Sequence, residues 1–477
     1  EKFGDDIGIL VIDDEADQAS QNARAFKGEV AATYREISLI RNFGKNVMLS
    51  YTATPQALLL AESDGLIRPD YCVTVPPKEG YFGLNAALDS NYAGNRRVID
   101  DVNAKVTNWT KPPVSLVDAI YDFYLTGVVR FRYPNCFYQD SPLPTTTRSD
   151  DVKSLQFMIH ESAVQANHTA MYFIVEKVRN MLKSDLDNSL RTGVPSPRLQ
   201  ARWNMLQSRL DPASVWLNSE LGQDDIVEVA NLFTSTKIHI VNSDSKRPTG
   251  LEPLPVTTTE WNANRAWILI GGDILGRGLT IPHLVGNYFL RYAKKPNFDT
   301  VSQQMRFCGY RSAYAKATFI CAEQQIFDLF NYMKVVDKAL WRSAEKWDKA
   351  KTNIKTSLPK VAYAVPLSSG LEPTRKAVRD PNLVDNKFDG SGEMLFSARG
   401  IFNPRHVKAN VNLLNAWFDE NNADLSVSQE GDFLRADVSR PESIARLIHG
   451  WNIDDPDKNV KPSLASLFDV ELEDRKS

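Results

Sequence analysis

The chain has 477 residues, 43% hydrophobic and 24% charged, with a formal net charge of −3. That length allows two or three soluble domains, each with its own core, and the charge excludes a globally basic nucleic-acid binder, so any such contact needs a local patch. Four scattered cysteines (Cys72, Cys136, Cys308 and Cys321) exclude a disulfide framework or zinc knuckle and suit the cytoplasm; no apolar run is long enough to span a membrane, and no signal peptide opens the chain.

By residue 7 the chain is already in a strand pattern, Ile7–Ile12, which predicts that it is a fragment missing upstream sequence. GDDIGILVIDDEAD (residues 4–17) reads as a parallel strand covered on both faces, with acids at its carboxyl end. Gln18–Ile40 is helix-compatible. A second strand, Asn46–Ser50, ends in Tyr51-Thr52-Ala53-Thr54-Pro55, and Gln56–Ala61 would be the first turns of a helix that Pro55 can begin. Tyr71–Val75 reads as a short strand. Leu116–Phe131 is an aromatic-rich amphipathic helix, and residues 140–151 form a polar loop. A second α/β alternation follows: strand Leu155–Ile159, helices Ala170–Leu186 and Arg198–Leu210, then strands Ile238–Val241, Trp267–Ile270, Tyr288–Leu290 and Ala317–Cys321. A helix-like segment carries Gln303, Arg306 and Arg311, and another runs from Ile326 to about Trp347. Beyond about residue 350 Gly and Pro rise, with helical stretches at Ala409–Phe418 and Pro441–Ile448. Strands alternating with helices predict a parallel sheet. The expected architecture is α/β: two RecA-like parallel-sheet lobes, the first incomplete (1–112) and the second at 113–350, then a mainly helical accessory domain (351–477).

Four segments carry candidate chemistry. Asp14-Glu15-Ala16-Asp17 follows an apolar strand; Asp14 there can hold Mg²⁺ and Glu15 can activate a hydrolytic water, although the same letters also suit a solvated acidic loop. Thr52 and Thr54 can bond the acidic segment and couple nucleotide state to substrate, or simply cap a helix. Asp273 and Gly276-Arg277-Gly278-Leu279-Thr280 offer glycines for close backbone approach and an arginine for phosphate, or a tight strand-exit loop. Gln303, Arg306 and Arg311 suit a nucleotide sensor and arginine fingers, or a solvated basic face. Each is ambiguous alone. Their fixed order, each at a strand end or on the next helix, points to an ATPase core.

DEAD at 14–17 and TATP at 52–55 resemble motifs II and III of superfamily-two helicases, and GRGLTIP at 276–282 and QQMRFCGYR at 303–311 resemble motifs V and VI. The variants IDDEAD, SYTATP, GGDILGRGLTIP and GYR resemble the Z-one domain family, helicase-related proteins often encoded near DNA methyltransferases and nucleases. FMIH at 157–160 and VNS at 241–243 extend the likeness. The helicase-like subunits of CglI-type ATP-dependent restriction enzymes are similar too. The resemblance implies an Mg²⁺-dependent ATPase that binds ATP between two lobes and acts on double-stranded DNA, as translocase or switch, in a bacterial restriction complex beside a separate phospholipase-D-like nuclease subunit. By the same resemblance Asp14 holds the metal, Glu15 activates water, Asp273, Gly276, Arg277, Gly278 and Thr280 line the nucleotide, Thr52 and Thr54 couple, and Gln303 with Arg311 or Arg306 completes the site. A scaffold that docks the nuclease without hydrolysing ATP is the alternative.

Three departures qualify this. No G-x-x-x-x-G-K-[ST] phosphate loop occurs in the sequence, Gly44-Lys45 being the nearest pair, so these residues alone are expected to bind ATP poorly. Met305 stands where the family usually has Gly. Arg306 and Arg311 are five apart where ordinary helicases space theirs by three; Arg311 is favoured as the finger. Among weaker signals, Arg96/Arg97, Arg130/Arg132, Arg291 and Lys294/Lys295 read as solvated surface ahead of DNA contacts. His160 reads as a satisfied core or interface histidine. His406-Val407-Lys408 lacks the Asp of a phospholipase-D motif, and no nuclease motif is complete.

Overall fold

The computed structural model describes residues 8–17, 30–42, 45–55, 58, 69–102, 104–138, 152–161, 164–210, 217, 219–241, 254–272, 275, 281–290, 296–351, 353, 404–421, 425–430 and 433–438. The contacts divide the chain into one unit of Glu1–Val73 with Val335–Ser477, and a second of Thr74–Lys334.

In the first unit β1 (Ile9–Asp14) pairs in parallel with β2 (Asn46–Tyr51), in register from Ile9 opposite Asn46 to Asp14 opposite Tyr51. Between them in sequence lies α1 (Ala32–Arg41), which packs on β2, with Asn46 Nδ2 donating to Arg41 O at 2.7 Å. Both strands alternate between partly covered and bare residues. Leu10, Ile12, Val47, Leu49 and Tyr51 are exposed, Ile12 at 63%. The expectation of cover on both faces therefore fails here: among the described residues, one face of this pair has no layer over it.

The second unit contains a six-stranded sheet in which every neighbouring pair is parallel. A two-residue strand, β3 (Tyr81–Phe82), precedes it. Its strands are β4 (Arg96–Val98), β5 (Leu155–His160), β6 (Thr236–Val241), β7 (Ala266–Gly271), β8 (Leu284–Phe289) and, after a second two-residue strand β9 (Gly309–Tyr310), β10 (Phe319–Ala322). The order is β4-β10-β8-β5-β7-β6. Mixed helices and parallel strands give the α/β class expected of RecA-like lobes. Residues 74–112 group with the second unit because Arg96–Val98 pairs with Ile320–Ala322, so the expected boundary at 112 falls inside that unit.

One sheet face packs Phe157, Tyr288 and Phe319 against α2 (Val114–Arg132), α3 (Gln165–Thr192), α4 (Pro197–Leu210) and α5 (Gln223–Thr234). Helix α2 is buried nearly all round, more than an amphipathic helix would be, because α4, α5 and β8 surround it. At Gly286 an added Cβ would lie 2.5 Å from both the Phe157 and Phe319 rings, so only glycine lets the two rings share that strand. Helix α3 ends on Gly193 (φ 73°), whose N–H returns to Ser189 O at 2.9 Å. The other face buries Met158, Trp261, Trp267, Leu269, Leu275, Ile281 and Leu284.

Several short features depart from the sequence expectations. Among the described residues Tyr71–Val75 joins no ladder and leaves Tyr71, Val73 and Val75 exposed, so it is extended chain and not a strand. The helix carrying Gln303 is α6 (Phe298–Gln304) and stops there. Arg306 lies in the following turn and Arg311 after β9, which pairs antiparallel with β3, so the three do not share a helix face. Helix α7 (Gln324–Ala350) follows β10. Near the carboxyl end the described residues form α8 (Pro404–Asn421) and an antiparallel ribbon, β11 (Leu425–Glu430) with β12 (Phe433–Val438), where the sequence suggested mainly helix. The expected helix at Pro441–Ile448 lies outside the described residues.

Candidate functional site

Parallel pairing brings the acidic segment and the threonines to one strand edge. Since Asp14 sits opposite Tyr51, Asp14–Asp17 and Thr52–Thr54 leave the sheet side by side. Ala16 N donates to Tyr51 O at 3.0 Å, and Thr52 Oγ1 donates to Asp17 Oδ1 at 2.7 Å. Thr54 N in turn donates to Thr52 Oγ1 at 2.9 Å. Ala16, Asp17 and Thr54 are buried, whereas Asp14 and Glu15 face solvent. Glu15 has φ 54°, in the left-handed region where a non-glycine residue is strained by about 1 kcal/mol. Its N–H is taken by Asp14 Oδ1 at 3.0 Å. The turn therefore presents two exposed carboxylates above a buried, hydrogen-bonded third.

Among the described residues no group of three His, Cys, Asp or Glu side chains is placed to hold a metal. Mg²⁺ commonly binds through one or two carboxylates and keeps several waters, so the exposed Asp14 carboxylate fits it without a protein cage.

In the second unit the carboxyl ends of β5, β7 and β8 form another edge. The strand order reverses around β5, with β7 and β6 on one side and β8 and β10 on the other, a switch point of the kind at which open α/β sheets bind ligands. His160 ends β5, opposite Gly271 on one neighbour and Phe289 on the other. Its Nε2 donates to Gly272 O at 3.0 Å, and its ring lies 4.8 Å from that of Phe289. Glu161, also buried, accepts from Asn167 Nδ2 at 3.1 Å. At Gly271 an added Cβ would lie 2.6 Å from Val241 O. His160 is hydrogen-bonded, as expected of a core histidine, and it also stands beside Gly271 and Gly272 at the end of β7. The sequence signal for Glu161 is the His-Glu pair that closes a predicted strand.

Asp273, Gly276, Arg277, Gly278 and Thr280 lie outside the described residues, as do Arg291, Lys294 and Lys295. Arg306 is half-buried and its Nε donates to Leu275 O at 3.1 Å; Gln303 lies one turn earlier, at the end of α6. Arg311 is placed differently. It is buried, with Nη1 donating to Leu284 O at 2.8 Å and Nη2 to Ile281 O at 3.3 Å. Burial depresses its pKa. The favoured finger thus braces the strand entrance of β8, and Arg306 is the arginine at the carboxyl edge.

Arg130 is likewise internal. It donates to Ser154 O at 2.7 Å and Val152 O at 3.0 Å, and its Nη2 lies 3.2 Å from His283 Nδ1. Because arginine only donates, Nδ1 is the acceptor and His283 is neutral; burial, then Arg130 and Arg311, hold its pKa well below 6.5. Arg132 bridges Asp224 and Asp225, and Arg96 donates to Ala87 O and Asp89 O. The described basic pairs are structural ties, where solvated surface was expected.

Comparison with known families gives one match: the Z1 domain model covers residues 115–366, just over half of the chain. The matched span opens in α2 and takes in β5 to β10, hence His160, Gly271, Gln303, Arg306 and Arg311; the acidic and threonine segments lie before it. No curated protein and no solved structure matches the chain.

Proposed function

Because the chain belongs to the Z1 domain family, we propose that it is the helicase-like, Mg²⁺-dependent ATPase subunit of a bacterial restriction complex, acting on double-stranded DNA beside a separate nuclease subunit. The observation that carries this reading is the shared carboxyl edge of β1 and β2, where exposed Asp14 and Glu15 sit above the Thr52–Asp17 hydrogen bond. Asp14 is the residue that would hold Mg²⁺, which would offset charge on phosphoryl oxygens. Glu15 orients the attacking water and accepts its proton. The left-handed turn and the bond from its own N–H to Asp14 fix where its carboxylate starts. Thr52 and Thr54 pass the state of this turn to β2. Gln303 and Arg306 are the candidates for the nucleotide sensor and for the cation that answers transferring charge.

Glu15→Gln in the intact protein tests the reading. ATP binding should persist while hydrolysis, with or without duplex DNA, falls by at least about a hundredfold, the usual scale for a general base. Wild-type turnover in that variant would remove the mechanism.

A further inference from the structure

At the β4 edge of the six-stranded sheet, α2, α4, β4 and β10 enclose a charged cluster that the proposed ATPase reading does not use. Asp118, Asp122 and Thr126 recur every four residues along one face of α2, and Arg198, Arg202 and Arg209 face them from α4. Asp122 is fully buried; it accepts from Arg202 Nε at 2.8 Å and also meets Arg202 Nη2 and Arg97 Nη1. Asp118 Oδ2 accepts from Arg202 Nη1 at 3.2 Å, and its Oδ1 lies 4.0 Å from Arg198 Nε. Both carboxylates are therefore committed.

Arg209 is left over. It is 9% exposed, and its Nη2 reaches only Thr126 Oγ1 at 3.4 Å and Ala317 O at 3.3 Å. Among the described residues its Nε and Nη1 have no hydrogen-bond partner. Arg97 and Arg209 also lie over the same Phe319 ring, at 4.9 and 5.3 Å, so two like charges share one apolar surface. Burial, then the neighbouring arginines, push both guanidinium groups down to about 9. Three largely buried arginines, Arg97, Arg202 and Arg209, thus face two carboxylates, and a buried guanidinium without a counter-ion is strongly unfavourable.

We propose that this cluster is an anion site for a phosphate-class oxyanion, seated on Arg209 Nη1 with Arg97 at its rim. Arg97 keeps 17% of its side chain exposed, so of the two arginines over Phe319 it is the one nearer solvent. The depth of Arg209 restricts the ligand to a free small anion or the terminal phosphoryl group of a nucleotide; a duplex backbone is too wide to enter.

The test is thermal unfolding of the intact chain with inorganic phosphate titrated at constant ionic strength, chloride serving as the balance salt. The site predicts a saturable rise in Tm in the wild type that is lost in Arg209→Gln. Saturation matters because phosphate also stabilises proteins without binding, in proportion to its concentration. A shift that is absent, unsaturable or unchanged in Arg209→Gln would overturn the proposal. Should that variant not fold, Arg97→Gln must raise the apparent Kd by about tenfold or more, a loss of roughly 1.4 kcal/mol, and an unaltered Kd refutes the site. Repeating the titration with ADP distinguishes the sources: a tighter Arg209-dependent shift assigns the site to a nucleotide phosphoryl group, and a weaker one to free phosphate.

Discussion

Thr52 Oγ1 donates to Asp17 Oδ1 at 2.7 Å and thereby ties together the ends of two parallel strands whose residues are 35 apart in sequence. Asp17 is only 3% exposed, so this hydroxyl sits against a carboxylate shielded from water. Thr52→Val keeps the shape and removes the donor. The expected loss is about 1–3 kcal/mol in urea unfolding, the range for stripping a partner from a buried polar group. If the bond also holds the acidic turn for catalysis, kcat should fall while KM for ATP stays nearly constant, and Thr52→Ser should restore both. Unchanged stability in the valine variant would show that the bond does not hold the edge.

Arg306 and Arg311 separate by the same logic. Arg311 donates to two backbone carbonyls inside the second unit, and lysine cannot reproduce that planar pair of donors. Arg311→Lys should therefore lower stability by roughly 1–3 kcal/mol. Arg306→Lys should leave Tm within a degree or two, about 0.5 kcal/mol, while cutting ATP turnover by at least about a hundredfold. The reverse pattern, a stable Arg311→Lys without activity, would return the finger role to Arg311.

His283 supplies a pH dependence. Its pKa is held well below 6.5 by burial and by Arg130 and Arg311, so the folded protein resists a proton that the unfolded chain accepts near 6.5. The unfolded state then binds more protons as pH falls, and stability should decline below about 6.5 while staying flat above it. His283 has φ 43°, which asparagine tolerates well, so His283→Asn is the suitable control. Unfolding free energies at pH 7.5, 6.5 and 5.5 should show a steeper fall in the wild type than in the variant. Parallel curves would mean that the histidine titrates normally in the fold.

Most strands of the two parallel sheets were legible in sequence because they are continuous apolar runs bounded by turn residues, but Leu284–Phe289 begins four residues before the expected Tyr288–Leu290. Leu155–His160, Ala266–Gly271 and Phe319–Ala322 agree with the expected segments to within a residue or two. Arg96–Val98 and Tyr81–Phe82 were not, since strands of three and two residues have no period to read and exist only through their partners. At the site, the neighbourhood of Asp14 and Thr52 followed from two adjacent strand ends. The fate of Arg311 did not: a basic residue destined for two backbone carbonyls looks, in sequence, like one destined for phosphate. The same holds for Arg130 and Arg97, whose partners lie far away along the chain.

Gly271 tests whether the glycine turn is set by the sheet itself. It ends β7 opposite Val241 on one neighbour and His160 on the other. A methyl group there would lie 2.6 Å from Val241 O and 3.0 Å from two carbons of Leu275. Leucine can rotate, but the carbonyl belongs to the β6 backbone and can yield only by displacing the edge strand. Gly271→Ala should therefore destabilise the second unit by about 1–3 kcal/mol, as overpacking does elsewhere. It should also disturb the neighbouring Gly272 carbonyl that His160 holds, seen as faster amide exchange at Leu275, whose N–H is bonded to that carbonyl at 3.0 Å. An alanine variant with wild-type stability and exchange would mean that the turn is placed by the residues after it and not by the strand that leads into it.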